Sequence, residues 1–206
     1  AMLLPALSKA KAKANEISCL NNLKQLGLGM MLYVGDYNDV MPAWASGSDG
    51  WRKENWIYYN GGAAHPVSES PIVRTLGNPN PAKLFRCPID RDDPKRTSYP
   101  YSYSLSSMST GYGISSRFQG GVFVPYKLTS VRRPSAKLML GEEPTIVGGD
   151  TPPYQTAVAN DGRWDRPGDT LTVRHGGDGN VNFADGHSSK VDYKFARLRQ
   201  NYDPSY

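Results

Sequence analysis

Apolar residues in the first 37 positions fall at Leu3, Leu7, Ala10, Ala14 and Ile17, and then at Leu20, Leu23, Leu26, Met30, Val34 and Tyr37. Steps alternating between three and four keep them on one face of an α-helix, so the spacing predicts a single helix from Leu3 to about Tyr37. A helix of that length is not held by propensity alone and needs a surface along its stripe. Asn21 and Asn22 interrupt the spacing between Ile17 and Leu23, which turns the apolar face midway. Lys9, Lys11 and Lys13 crowd the first half, whereas Lys24 is the one charge between Leu20 and Val34. The later half is therefore expected to pack on the rest of the chain, and the earlier half to stand clear of it as a stalk. This divides the chain into a helix over 1–38 and a β-rich head over 39–206.

Past the helix the pattern changes. Asp36-Tyr37-Asn38-Asp39 and Met41-Pro42 close it, since proline cannot continue a helix and biases its predecessor away from helical angles. Trp44, Trp51, Trp56, Tyr58 and Tyr59 then cluster around Asp49-Gly50 and Asn60-Gly61-Gly62 turns, either a sugar platform or packing over a thin core. Residues 71–100 carry repeated proline punctuation and read as irregular chain. Tyr99, Tyr101 and Tyr103 alternate as an edge strand would, residues 104–121 read as loop, and Val122-Phe123-Val124 as a short strand. Lys137-Leu138-Met139-Leu140-Gly141 is the best candidate for a strand buried on both faces, with Glu142 and Glu143 as surface carboxylates at its end. Residues 148–169 are a Gly-, Pro- and Asp-rich excursion.

The last segment alternates again. Leu171, Val173 and His175, then Val181 and Phe183, then Val191 and Tyr193 predict a meander of three strands. A two-residue turn at Asp185-Gly186 would set core residues against solvent-facing ones, so an odd, bulged turn pairing Val181 with Val191 is expected. With His175 opposite Val181, Asp185 lies four residues further on, about 13 Å away at the usual strand rise. A His175–Asp185 catalytic pair, the basis of a hydrolase reading, is then out of reach. His175 is left as a half-buried hydrogen-bonding residue and Asp185-Gly186 as turn geometry. The pattern as a whole predicts an α+β fold, a long amino-terminal helix packed on an antiparallel sheet with loop-rich insertions.

Composition changes this picture little. With 38% hydrophobic residues, 21 Gly and 16 Pro in 206 residues, the head buries a modest core between many loops. The helix through Gly35 supplies +3 of the net +5, yet no basic patch interleaves with aromatics, so nucleic acid is not an expected partner. Lysines in this position suit either anionic headgroups or a solvated helix face. Three histidines, with no phosphate loop, nucleophile elbow or zinc spacing, point away from an enzyme. Asp161, Asp165, Asp169 and Asp178 lack the alternating ligands of a calcium loop, so neither metal nor cofactor is expected.

Three stretches carry a resemblance. Ile17-Ser18-Cys19-Leu20-Asn21-Asn22-Leu23-Lys24-Gln25-Leu26-Gly27 follows Leu3-Leu4-Pro5-Ala6-Leu7, His175 is followed after nine residues by Asp185-Gly186, and Phe85-Arg86-Cys87-Pro88 has Asp90 close behind. Together they resemble prepilin-type proteins of the type II secretion pseudopilin class, with correspondences at both ends and only scattered ones between. The resemblance implies a pilin-like fold and a filament subunit whose partners are other pilin or pseudopilin subunits, met through the amino-terminal helix. It also implies an extracytoplasmic head and an inner-membrane anchor in the full-length precursor. Ala1-Met2-Leu3-Leu4 resembles the tail of such an anchor, since no run here reaches the ~18 apolar residues of a span. The alternative is a soluble protein with an amphipathic first helix. An exported head makes a Cys19–Cys87 disulfide the natural reading, two buried thiols being the alternative. His175, Asp185 and Gly186 would then be structural signature residues. A lectin-like module binding glycan through Trp44, Trp51, Trp56 and Tyr58 is the competing function, distinguished by an open aromatic groove.

Overall fold

The computed structural model describes residues 3–45, 50–59, 65–77, 81–90, 101–108, 111–144, 152–153, 161–166 and 168–206. A 34-residue helix, α1 (Leu3–Asp36), precedes two short helices, α2 (Pro71–Leu76) and α3 (Pro81–Leu84). Strands follow as β1 (Tyr103–Ser106), β2 (Arg117–Gln119), β3 (Val122–Val124), β4 (Leu138–Glu142), β5 (Arg163–Trp164), β6 (Asp178–Phe183) and β7 (Ser188–Asp192). Five of them form one sheet in the order β5-β1-β4-β6-β7, and β2 and β3 make a separate hairpin. Among the described strands of the sheet, only β1 and β5 run parallel. The arrangement is α+β, a long helix against an antiparallel-rich sheet, as the apolar pattern predicted.

The helix divides where the sequence pattern slips. Residues 4–14 are exposed throughout, with Leu4 at 76% and Leu7 at 67% of full exposure. Cys19, Leu23, Leu26, Met30, Tyr33 and Val34 are buried against the head. Two members of the expected stripe fall elsewhere: Leu20 is half-buried, and Tyr37 lies outside, stacked on Tyr33 with ring centres 4.2 Å apart. The buried line from Cys19 to Val34 advances in the steps of three and four that one helix face requires, and Tyr37 lies past Asp36, the last residue of α1, where that face ends. Asn22, one of the residues that breaks the spacing, explains the change of face. Its amide donates to Lys83 O (3.1 Å) and Arg86 O (2.9 Å), fastening the loop after α3 to the helix where burial begins. Asn38 (φ +54°) and Asp39 (φ +70°) turn the chain away after Asp36, a left-handed conformation that short polar side chains tolerate.

Two apolar layers cover the sheet. On the α1 side, Leu23, Leu26 and Met30 pack with Trp56, Phe85, Tyr103 and Leu140. On the other, Leu138, Trp164, Leu171, Val181, Phe183 and Ala196 form a smaller cluster under Tyr193, Phe195 and Tyr202. β4 is buried at every position, as its unbroken apolar run predicted. A register shift between Leu138 and Leu140 sends these neighbouring leucines to different layers.

Several expectations need correction. β1 is no edge strand: it lies between β4 and β5 and is buried throughout, Tyr101 precedes it, and Tyr99 falls outside the described residues. The expected loop over 104–121 contains most of β1 and all of β2. Residues 71–84 are helical in part, because Ser70 Oγ accepts from Ile72 N–H, Pro71 occupies the first turn and Gly77 (φ +60°) closes the end. Of the expected three-stranded meander only β6 and β7 form. Residues 171–175 instead cross the sheet face above Gly141 and Gly179, where a side chain would collide with Leu171 and Thr172. They are tied there by Thr172 N–H to Glu142 O. The β6–β7 turn has the expected odd count, with Gly186 (φ +89°) as its left-handed residue, but Val181 faces Ser189 and Val191 faces Gly179. The apolar pattern fixed the face and left the register two residues out. Much of the excursion over 148–169, like the Asn60-Gly61-Gly62 turn and Asp49, lies outside the described residues.

Candidate functional site

Where the gripped half of α1 begins, six separate stretches meet in a buried polar joint. Cys19 on α1 is joined by a disulfide to Cys87, which follows α3. Tyr103 at the start of β1 donates its hydroxyl to Cys19 O at 3.3 Å. Against the bridge lies His175, its Nε2 3.7 Å from Cys87 Sγ and 2.8 Å from Glu142 Oε2, with both side chains wholly buried. Glu142 sits at the end of β4, and its Oε2 also accepts from Asn180 N–H on β6 at 3.0 Å. Beside this pair Arg174 Nη1 lies 3.0 Å from Asp90 Oδ2, again out of solvent. Ser102 Oγ links the two halves of the joint, accepting from Cys87 N–H and donating to Asp90. Buried charges persist only when paired and hydrogen-bonded, and breaking one such pair typically costs about 3–5 kcal/mol.

Glu142 and Glu143 are therefore not surface carboxylates; both are wholly buried, because β4 runs on beneath residues 171–175 instead of emerging at its end. Glu143 Oε2 accepts from Ser104 Oγ at 2.7 Å. Burial pushes its carboxyl well above the ordinary range, and the nearby charges of Asp169 and Asp161 add to this. Asp169 is raised to about 7, first by burial and then by Asp161 and Asp165, against the opposing effects of the Asp165 N–H and Arg163. Asp161, Asp165 and Asp169, scattered in sequence, thus act on one another and on Glu143, while Arg163 pairs with Asp161.

His175 is fully buried where the sequence suggested half-burial. Asp185 and Gly186 are at the other end of β6, and the structure does not bring His175 and Asp185 together. Asp185 Oδ1 accepts from His187 N–H (3.2 Å) and lies 2.6 Å from His187 Nδ1. Gly186 lets the turn approach α1, since a Cβ there would stand 3.3 Å from Met31. Asn182 secures that turn by donating to Gly186 O, His187 O and Ser188 Oγ, and it lies against Gly27, leaving no room for a side chain on the helix. The two ends of the His175-to-Gly186 stretch therefore press on α1 at two heights, one at the disulfide and one at Met31.

The aromatic residues proposed to face a ligand do not form one surface. Trp56 is fully buried, donating its indole N–H to Gly162 O at 2.9 Å and stacking on Phe85, so it belongs to the core. Trp44 and Tyr58 are half-buried. Trp51, 38% exposed, stacks on His65, which Tyr58 meets edge-on. Asp90, Arg174, Glu142 and Glu143 were not recognisable as one group from the sequence, apart from the proximity of Asp90 to Cys87.

A family model described as a protein of unknown function (DUF1559), SBP_bac_10, matches residues 8–123, more than half of the chain. The chain belongs to this family. The match runs from the free half of α1 through the disulfide and β1 to β3, so both partners of the bridge lie inside it, whereas Glu142, His175 and the Asp185-Gly186 turn lie beyond it. No curated protein and no solved structure matches this DUF1559 chain.

Proposed function

We propose that this DUF1559 chain is a structural subunit of a pilus-like filament of the pseudopilus kind. Its head is held outside the cytoplasm and its free half-helix packs against the helices of sister subunits. The reading is non-enzymatic. What carries it is the split in α1: the earlier half keeps Leu4, Leu7 and Ile17 in solvent, while the later half is gripped, bridged and buried. Leu7, Ala10, Ala14 and Ile17 share one face, and Leu28 (54% exposed) and Leu32 (45%) extend that line on the side of the gripped half turned away from the head. Exposed apolar lines of this length mark contact surfaces. The disulfide suits an oxidising compartment. No helix among the described residues is long and apolar enough to cross a membrane.

Photo-crosslinking from position 7 in the full-length protein, in its own cell envelope, tests the reading. A ladder of multimers from position 7 and none from Val122 on the head is the expected outcome, and an envelope-localised protein that yields only monomer at position 7 removes the basis for it. Loss of protein secretion on deletion of the gene tests the assignment to type II secretion in particular. A glycan-binding role has one observation in its favour, the outward stack of Trp51 on His65. Glycan-array binding that disappears in Trp51→Ala distinguishes it.

A further inference from the structure

Cys19, Cys87, Glu142 and His175 are far apart in sequence, yet one ligand-type atom from each lies within 4.8 Å of the others, and all four residues are buried. We propose that in its thiol form the protein binds one zinc ion at these four residues, so that metal and disulfide are alternative closures of the same joint between α1 and the head. Two thiolates, an imidazole and a carboxylate form a closed, all-protein donor set of the kind that holds structural zinc tetrahedrally. Zinc–ligand bonds of 2.0–2.3 Å in that geometry set ligand atoms about 3.3–3.8 Å from one another. His175 Nε2 already stands 3.7 Å from Cys87 Sγ, and its 2.8 Å approach to Glu142 opens slightly when the ion replaces the proton between them.

The surroundings suit an ion. Glu142 Oε1 is buried without a hydrogen-bond donor, so half of that carboxylate has unused capacity. Its other oxygen is oriented by Asn180 N–H, the outer support that metal-binding carboxylates require. Tyr103 steadies the backbone of Cys19, and the single negative charge left by two thiolates, one carboxylate and Zn2+ lies beside the buried Arg174–Asp90 pair. An open cleft lined by Ser18, Asn22, Lys83, Arg86, Cys87 and Asp90 leads in from solvent. The disulfide form offers no thiolate, so the ion binds only after reduction. A thiol or phosphine reductant supplies two electrons and solvent two protons, giving two thiols. Zinc binding then releases both thiol protons, and the neutral imidazole of His175 meets the ion through Nε2. A chain not yet oxidised would in this way keep its helix clamped to its head.

The test uses the 206-residue chain made in a reducing cytoplasm and purified under reductant, then titrated with Co2+. One Co2+ per chain is expected, with tetrahedral visible bands and a near-ultraviolet thiolate charge-transfer band, displaced by Zn2+. Both cysteines should be shielded from alkylation by the metal, and the disulfide form should bind none. His175→Gln and Glu142→Gln, each first shown to fold in the disulfide form by circular dichroism, should bind Co2+ at least about tenfold more weakly, the lower end of what losing even an outer partner of a metal ligand costs. If the reduced chain is unfolded without metal, recovery of helix signal on adding Zn2+ supports the proposal. Absence of the thiolate band, undiminished affinity in His175→Gln, or equal binding by the disulfide form overturns it.

Discussion

The two halves of α1 are one continuous helix with opposite fates. Up to residue 14 every side chain whose burial is described faces solvent, whereas from Cys19 onward one face is sealed under the sheet. Helix propensity does not decide which half is covered: the earlier half is rich in the good helix formers Leu, Ala and Lys, while the later half, the one that packs, carries Leu and Met but also Gly27, Gly29 and Gly35. What separates them is a row of fasteners at the boundary: Glu16 near Lys190, Cys19 bonded to Cys87, and Asn22 holding the loop after α3. A rod can therefore serve two roles at once, its packing energy collected at one end and its contact surface kept available at the other.

Removing the bridge attacks the boundary most directly. Cys19→Ser with Cys87→Ser, measured by urea unfolding with chelator present, should cost about 4 kcal/mol, as expected for releasing a loop of 68 residues. Unchanged stability would mean that the bridge does not hold rod to head. Next, Leu26→Ala in the gripped half should lose about 3 kcal/mol through the cavity it leaves. Gly27→Ala should follow at about 2 kcal/mol, because its Cβ would stand 2.2 Å from the Asn182 amide that secures the β6–β7 turn. Thermal melts of both variants check this, and a stabilised Gly27→Ala would show that the turn yields to the helix.

The head also differs from the rod in its response to pH. Folding holds Asp169 protonated up to about 7, whereas in the unfolded chain it ionises near 3.8. The folded state thus binds the extra proton between those values, so this group's contribution falls as pH rises from about 4 to about 7 and is lost above that. Asp169→Asn, which keeps an oxygen to accept from Asp165 N–H, should match wild type near pH 4 and exceed it by at least about 1 kcal/mol at pH 8. Denaturant midpoints across that range that run parallel for both proteins would contradict this. The smallest effect belongs to the free half: Leu7→Ala should alter stability by no more than about 0.5 kcal/mol. On the proposed function it should nonetheless impair assembly. A large loss of stability instead would show that this half is held within its own chain.

Much of the fold was legible because burial imposes a period. The helix, its division at the paired asparagines, the doubly buried β4 and the glycine turn at 185–186 all follow from spacing and local chemistry. α2 was missed although its signals, Ser70-Pro71 ahead and Gly77 behind, are local and readable. The placement of residues 171–175 was not readable. Alternation shows that a segment has two faces, but it does not show whether it joins a sheet edge or lies across a sheet, and here glycines at 141 and 179 on other strands made the space.

The sequence by itself determined a long rod with one half made to be covered, a β-rich partner for it, and the residues available to join them. Only the tertiary structure decided that Glu142, a strand-end carboxylate by its neighbours, is buried against His175 and the disulfide, with Arg174 and Asp90 paired alongside. The reason is physical: a charged residue is placed by whatever can pair with it out of water, and those partners come from stretches whose separation along the chain carries no record of their meeting.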